Sequence, residues 1–404
     1  MERNLSKKFL DINVLEAAQQ RIAFTFDNFS RICVSFSAGK DSTVMLHLVM
    51  EEALKRNRKI GVLFIDWEVQ YAMTIKCMRE CIALYAEHIE LYWICLPLAT
   101  VNACSQFEPE WICWDPVKKH LWVRDLPEEC ISDVKYFPFY YYPMTFEEFV
   151  PEFGKWYGQG ELTACFIGIR TQESLNRFRS IANDRKGVFL EKQYTTQQDA
   201  ENVYNVYPIY DWKATDIWTY TNKYKKIYNN IYDLMYYAGL TVNQMRICEM
   251  YGPEQKHGLW LCHLMEPELW SRVVARVSGA NNGALYANEA GMIQGNSKLK
   301  LPDGHTWRSF VEMLLATMPV KTAEHYKVKI AVWHHWYTAK GIAIEDCIEG
   351  DTAGKDMPSW RRVCKVILTN DYWCKALCFG PTKSSNYERY VKLINKRRAE
   401  WKEI

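Results

Sequence analysis

The sequence predicts an α/β protein with a doubly wound, mostly parallel sheet, an aromatic-rich insertion and a C-terminal helical region. Apolar strands and amphipathic helices alternate between residues 31 and 96, which is the pattern of a parallel sheet covered on both faces. A segment rich in aromatic residues and proline interrupts the alternation over residues 99–160. After residue 227 the sequence contains almost no segments with the pattern of a β-strand.

The elements of the sheet unit are predicted from their hydrophobic periodicity. Residues 13–29 carry apolar side chains at helical spacing, and residues 31–36 are typical of a buried strand. The pattern continues with helices at 41–56 and 71–87 and with strands at 60–66 and 90–96. Beyond the insertion it predicts strands at 164–169 and 203–209 and a helix at 214–224.

The rest of the chain is predicted to be mostly helical, with candidates at 231–238, 266–277, 306–317, 322–339, 359–369 and 386–402. A chain of 404 residues exceeds the size at which one hydrophobic core usually stops growing. We therefore expect a nucleotide-binding domain over residues 1–230, with the insertion at 99–160, and a helical domain over residues 231–404.

The composition limits the class of protein. A formal net charge of +2 offers no strong attraction to nucleic acid or to a membrane surface. The 14 cysteines include no CxxC pair, the N-terminus is charged, and no apolar run reaches the roughly 18 residues of a membrane span. We expect a soluble cytoplasmic protein with reduced thiols. The 16 tryptophans suit a core, base stacking or a partner surface.

The segment VSFSAGKDSTVMLHLV, residues 34–49, joins a predicted strand to a predicted helix through a loop of small residues. The first N–H groups of a helix lack intrahelical partners and lie at the positive end of its dipole, so small side chains expose them to an anion. Ordinary helix capping is the alternative. The GxxxxGK[ST] spacing of a Walker A loop is missing. The candidate phosphate-binding residues are Ser37, Ala38, Gly39, Lys40, Asp41 and Ser42.

The string FSAGKDSTVMLHL resembles the PP-loop signature S-G-G-x-D-S/T of ATP pyrophosphatases, sulfate adenylyltransferase small subunits and phosphoadenosine phosphosulfate (PAPS) reductases. This resemblance implies an adenine nucleotide alpha-hydrolase-like fold that binds ATP or PAPS. Ala38 stands where the signature commonly has glycine. We expect alanine to be tolerated there provided that its φ is negative.

A carboxylate follows the second predicted strand, where GVLFID ends in Asp66. Doubly wound sheets bind ligands at the carboxyl ends of their strands, although an aspartate at such a point also serves as a turn or cap residue. The family resemblance implies an acidic residue near the nucleotide here. Asp41 and Asp66 are therefore the candidate ligands of a Mg²⁺ ion that bridges phosphates.

A third strand runs into GIRTQESLNR, which resembles the family pattern G-x-R-x-x-E-S-x-x-R and contains Gly168, Arg170, Glu173 and Arg177. Basic residues there can neutralise phosphate or sulfate. For Glu173 and Arg177, an ordinary solvated helix face is the alternative. We take Lys40, Asp41 and Arg170 as the candidate catalytic residues.

The resemblance is greatest to a bacterial and phage group that includes the immunoglobulin-binding regulator A type. It is carried by FIDWEVQY, FEPEWICWDP, GIRTQES and RVSGANNGALY, and it implies a ParB-like partner protein. The E-C-G-x-H cysteine motif of true PAPS reductases is missing, and Cys262, followed by His263, is its nearest counterpart. We expect Cys262 to be a buried structural thiol, and no cysteine spacing has a zinc or iron–sulfur signature.

Three functions fit these residues. The favoured one is an enzyme that cleaves ATP between the α and β phosphates and transfers the adenylyl group. The second is a thiol-dependent reductase of PAPS or adenylyl sulfate that uses a cysteine such as Cys262. The third is a non-enzymatic nucleotide-sensing or DNA-associated regulator, for which the C-terminal YVKLINKRRAEWKEI is a candidate basic helix. A solvated helix face is the alternative for this segment, because Glu400 and Glu403 dilute its charge.

Overall fold

Short apolar segments of the first half of the chain pair into a six-stranded sheet, in a computed structural model that describes residues 10–182, 186–253, 255, 258–285, 299, 301–348 and 358–377. Its order is β3-β2-β1-β7-β9-β8, and every pair is parallel except β8 with β9. The predicted doubly wound, mostly parallel sheet is confirmed. The strands are β1 Arg31–Ser35, β2 Ile60–Ile65, β3 Ile89–Ile94, β7 Thr163–Ile167, β8 Thr195–Gln197 and β9 Val203–Val206.

Helices cover the sheet where the hydrophobic periodicity predicts them. Their apolar faces pack on strands that are buried along most of their length, such as β2. The observed ends differ from the predicted ends by up to three residues, because helix ends are set by capping and not by periodicity. These helices are α1 Val14–Asn28, α2 Lys40–Lys55, α3 Ala72–Leu84 and α6 Ala214–Lys223, with the short α5 Leu175–Ile181 after β7.

The insertion has more regular structure than its composition indicates. Strands β4 Leu98–Val101, β5 Glu110–Ile112 and β6 Met144–Thr145 form a small sheet in the order β5-β4-β6. Helix α4 Phe146–Gly158 then crosses back to β7. The helix is not predicted from the sequence, because Pro151 lies within it and proline disfavours a helix interior. The helix forms because aromatic side chains at a spacing of four bury one face: Phe149, Phe153 and Tyr157.

Among the residues that the structure describes, the regular elements of the C-terminal region are helices, joined by irregular segments such as 239–253, and the predicted helix at 386–402 lies outside the described residues. The main hydrophobic core continues past residue 230 as far as Ala280, and a second core begins at Trp307. The division at residue 230 stays a prediction. The helices are α7 Ile231–Tyr237, α8 Leu259–Met265, α9 Pro267–Arg276, α10 Ala280–Leu285, α11 Trp307–Thr317, α12 Val320–Thr338 and α13 Trp360–Leu368.

The strand order creates a crevice between β1 and β7. From β1 the chain moves outward through β2 and β3 and then returns to the other side of β1, at β7. The two strands pair in register from Arg31 with Thr163 to Ser35 with Ile167, so their carboxyl ends coincide. Such a reversal point is where doubly wound sheets bind ligands. Over the same described residues, no helix combines the length and apolarity that crossing a membrane requires.

Candidate functional site

The loop after β1 is closed by its own hydroxyl groups. The Ser37 and Ser42 hydroxyl oxygens lie 2.9 Å apart, and the Ser37 N–H donates to Ser42 Oγ at 3.3 Å. Ser42 Oγ also lies 3.1 Å from the Gly39 carbonyl, to which it can donate. Both serines thus hold the shape of the loop, which leaves Lys40 and the backbone N–H groups other than that of Ser37 as its donors toward an anion.

Ala38 has a backbone conformation that corrects the sequence expectation. Its φ is +54°, in the left-handed region, and not negative. An L-residue with a Cβ costs roughly 1–2 kcal/mol in that region. The conformation is held from outside the loop, because the Asn229 amide donates to the Ala38 carbonyl at 3.2 Å and to Thr74 Oγ1 at 2.9 Å.

Three of the predicted residues meet at the crevice between β1 and β7. The Arg170 Nε donates to Asp41 Oδ1 at 2.5 Å, and the Lys40 ammonium lies 3.3 Å from Asp41 Oδ2. All three side chains are at most 12% exposed. One carboxylate is therefore shared by two cations, which leaves a net positive charge in a site that is largely closed to water.

The second half of the site depends on a close approach between β7 and α2. A Cβ on Gly168 would lie 2.9 Å from the Ser42 Cα and 3.0 Å from the Ser42 nitrogen, so only glycine fits there. Glu173 turns back on the same segment, where its Oε2 accepts the Arg170 N–H at 3.2 Å. Arg177 lies 3.8 Å from Glu173 with a side chain that is 47% exposed. It therefore lies at the rim, as a solvated helix residue does.

Asp66 lies in a separate network of contacts, and its expected role toward a nucleotide or a metal stays a prediction. It is fully buried. Its Oδ1 accepts the Glu68 N–H at 2.9 Å and pairs with the Arg124 guanidinium, while its Oδ2 accepts the Trp93 indole N–H at 2.9 Å. A carboxylate with both oxygens engaged in this way has the contacts of a structural residue.

Glu68 extends this network into the C-terminal region. Its carboxylate binds the Arg276 guanidinium through two bonds of 2.8 and 3.0 Å and accepts the Trp114 N–H at 2.8 Å. Arg276 also lies 4.6 Å from the centre of the Trp111 ring. The insertion, the end of β2 and α9 are thus joined by buried ion pairs.

The predicted Mg²⁺ site does not fit these carboxylates. Asp66 is committed to Arg124, and Asp41 is committed to Lys40 and Arg170. Over the described ranges, no three His, Cys, Asp or Glu side chains group closely enough to hold a metal ion.

Four residues that follow β9 in the chain contact the loop or the segment after β7. None of them belongs to a motif that could be recognised in the sequence. Tyr232 on α7 accepts the Lys40 N–H on its hydroxyl at 3.0 Å. The Met245 carbonyl accepts from the Lys40 ammonium at 3.0 Å, and the Arg246 guanidinium donates to the Glu173 carbonyl at 2.9 Å. With Asn229, they lie about 190 or more residues from the loop along the chain, so only the tertiary fold reveals them.

Cys262 is buried, as the sequence indicates. It lies in α8 with no exposed surface, and burial raises its pKa to about 12. A thiol in that state is a poor nucleophile. Cys248, by contrast, is exposed and lies three residues after Met245.

Two family models match successive parts of the chain. The phosphoadenosine phosphosulfate reductase domain matches residues 31–99 and 151–238, on either side of the insertion. A domain of unknown function (DUF3440) matches residues 239–352 and 344–388. The first match contains the loop, Arg170 and Tyr232, and the second begins just before Met245.

Relatives and solved structures match to different extents. YbdN of Escherichia coli (strain K12) is 48% identical over 394 residues, which cover 97% of each chain. The protein MJ0973 of Methanocaldococcus jannaschii is 28% identical over 228 residues, which cover 54% of this chain and 44% of that protein. A Candida auris PAPS reductase in complex with phosphate aligns at 12% identity and a TM-score of 0.30, over 57% of this chain and 94% of that one. The Candida glabrata FMN adenylyltransferase with FAD and pyrophosphate aligns at 17% identity and a TM-score of 0.31, over 54% and 58%. These TM-scores are too low to carry a functional argument.

Proposed function

The chain belongs to the protein family of Escherichia coli YbdN and carries a phosphoadenosine phosphosulfate reductase domain, and on this premise we propose that it is an enzyme that binds an adenine nucleotide. The nucleotide is ATP, which is cleaved between the α and β phosphates so that the adenylyl group is transferred and pyrophosphate leaves. The residues that carry the proposal are the loop 37–42 together with Arg170.

The observation that carries it is the convergence of Lys40, Asp41 and Arg170 at the crevice between β1 and β7. Arg170 uses its Nε on Asp41, while its two terminal nitrogens donate to no other atom of the described residues. A guanidinium that is 5% exposed and whose terminal nitrogens have no partner among the described residues is suited to bind an anionic oxygen. A structural arginine is normally satisfied by the protein.

The proposed roles follow from charge. The Lys40 ammonium and the backbone N–H groups of the loop stabilise the negative charge that develops on the leaving pyrophosphate. Arg170 binds the α-phosphate or the acceptor. Asp41 orients Lys40 and Arg170 by pairing with both, because its oxygens are within 2.5 and 3.3 Å of them.

Substitution of Lys40 tests the proposal. We expect Lys40→Ala to weaken ATP binding about 10- to 100-fold, since a hydrogen bond to a charged group contributes about 1.5–3 kcal/mol. Isothermal titration with ATP, PAPS and adenylyl sulfate measures affinity, and a pyrophosphate-release assay measures turnover. Lys55→Ala is the matched control, because Lys55 lies on the same helix with a side chain that is 67% exposed.

The results separate the candidate functions. Unchanged nucleotide affinity in Lys40→Ala contradicts the role of the loop in phosphate binding. Tight PAPS binding without pyrophosphate release from ATP contradicts adenylyl transfer and leaves nucleotide binding in place.

A second candidate function is thiol-dependent reduction of PAPS or adenylyl sulfate, and one observation favours it. Cys248 is exposed and follows Met245, whose carbonyl binds Lys40, by three residues. Attack on sulfur requires a thiolate that can reach the substrate, and of these two cysteines Cys248 is exposed whereas Cys262 is buried. This candidate requires sulfite release with a thiol reductant, and Cys248→Ser must abolish it.

The non-enzymatic alternative stays a proposal as well. In it, the protein is a nucleotide-sensing regulator of the immunoglobulin-binding regulator A type that acts with a ParB-like partner. Its support is the resemblance of the sequence segments 64–71 and 276–286 to that group. Nucleotide binding without turnover of any of the three nucleotides is the result that favours it.

A further inference from the structure

A segment of the region beyond the PAPS reductase domain lies across the phosphate loop. We call residues 239–248 the strap. Its Met245 is buried and its carbonyl binds the Lys40 ammonium, while the Ile247 side chain lies 3.5 Å from where a Cβ on Gly39 would be. The strap thus covers the small-residue loop that the anion must approach.

On its far side the strap is bonded through Arg246 and through Cys248, whose thiol donates to Gln255 Oε1 at 3.6 Å. Arg246 donates from its guanidinium to the Glu173 carbonyl at 2.9 Å, and its own carbonyl accepts from the Gln255 amide at 3.3 Å. The first contact joins the strap to the segment after β7, so the strap bridges both halves of the candidate site.

The contacts engage the donors that the proposed function assigns to phosphate. Lys40 directs its ammonium at a carbonyl of the strap and gives its backbone N–H to the Tyr232 hydroxyl. The Lys40 side chain is only 7% exposed under this cover. A phosphate oxygen that binds Lys40 must therefore replace a hydrogen bond that the protein already makes.

Replacing the Met245 carbonyl by a phosphate oxygen at the Lys40 ammonium is favourable, but releasing the strap costs free energy. A bond from an ammonium to an anionic oxygen is stronger than one to a neutral carbonyl, so a phosphate can displace Met245. The free energy of releasing the strap is then subtracted from the binding free energy of the nucleotide. By the reciprocity of linked equilibria, whatever holds the strap down weakens nucleotide binding, and nucleotide binding loosens the strap.

From these contacts we propose that the strap is an autoinhibitory cover of the phosphate loop, which the nucleotide displaces when Lys40 moves from the Met245 carbonyl to a phosphate. The proposal rests on the proposed nucleotide site and adds its regulation. The domain of unknown function that begins at residue 239 thereby controls access to the reductase-like domain.

The test is to loosen the strap without touching the loop. Arg246→Ala removes the bond to Glu173, and we expect ATP affinity to rise about five-fold, which corresponds to about 1 kcal/mol, the usual net contribution of one hydrogen bond. The matched control is Arg272→Ala, because Arg272 on α9 also donates to a backbone carbonyl, that of Val123, at 2.9 Å. It should leave ATP affinity unchanged.

A second measurement uses the wild-type chain. Hydrogen exchange of the strap amides should become faster when ATP is added, the opposite of the protection that a ligand usually confers. Tighter binding by Arg246→Ala together with faster exchange supports the proposal.

The failures are distinguishable. If the wild type binds ATP but Arg246→Ala binds it equally or more weakly, or if ATP slows exchange of the strap, the autoinhibitory role is overturned and the nucleotide site stands. If neither protein binds ATP, PAPS or adenylyl sulfate, the proposed function and the strap proposal fall together.

Discussion

Ala38 has a backbone conformation that is unfavourable for a residue with a Cβ atom. Its φ of +54° favours glycine, yet the residue is an alanine with no exposed surface. The tertiary contact from Asn229 to its carbonyl compensates for the strain. Strain of this kind persists where the surroundings over-determine the backbone, which is common at binding loops.

Ala38→Gly should stabilise the protein. Glycine removes the left-handed penalty of about 1–2 kcal/mol but adds up to about 1 kcal/mol of unfolded-state entropy, so we expect a net gain of about 0.5–1 kcal/mol in the free energy of unfolding. Urea denaturation measures it. Ala83→Gly, at an exposed position within α3, should show the opposite sign. A loss of stability in Ala38→Gly contradicts the assigned backbone strain.

At the scale of elements, the junction of β7 with α2 decides the geometry of the candidate site. Gly168 lets the strand end pass against the backbone of Ser42. Because the neighbour is backbone and not a flexible side chain, a larger residue must shift the start of α2. The distance from Asp41 to Arg170 depends on that packing.

Gly168→Ala should therefore reduce nucleotide affinity at least ten-fold and destabilise the fold by about 1–3 kcal/mol, the usual range for overpacking. Gly61→Ala is a matched control, since its Cβ would meet the Tyr157 ring at 2.8 Å, away from the loop. It should destabilise the protein while the folded fraction keeps its affinity for ATP. Titration calorimetry on the two folded variants checks the difference, and equal affinities contradict the role of this junction.

At the scale of the whole molecule, buried ion pairs join the sheet, the insertion and the C-terminal region. Glu68 follows β2, while Arg276 belongs to α9, more than 200 residues later. Their side chains are 0% and 1% exposed. Buried pairs add little net stability but are costly to break, because the remaining charge has no partner.

Arg276→Ala should lower the free energy of unfolding by about 3–5 kcal/mol, since Glu68 would be left buried and uncompensated. Chemical denaturation provides the measurement. Lys76→Ala breaks the exposed pair of Lys76 with Glu80, whose side chains are 75% and 47% exposed, and should change stability by less than about 1 kcal/mol. Similar effects in both variants contradict the central position of the Glu68 pair.

The hydrophobic pattern of each segment was sufficient to predict the strands and helices of the six-stranded sheet unit. Strands β1, β2, β3 and β7 are short apolar runs, and α2 has the periodicity of a buried helix, so each was predictable from its own residues. Helix α4 was not, because Pro151 interrupts a helix that its aromatic face stabilises through packing. Tertiary burial outweighs propensity there.

The sequence by itself determined the fold class and placed the loop 37–42 and Arg170 at the same edge of the sheet, because the carboxyl ends of parallel strands lie at one edge. Only the tertiary structure decided that Ala38 has a positive φ, that Asp66 belongs to a buried ion-pair network and that the strap covers Lys40. The physical reason is that each of these depends on contacts between residues far apart in the chain, which hydrophobic periodicity and short motifs do not encode.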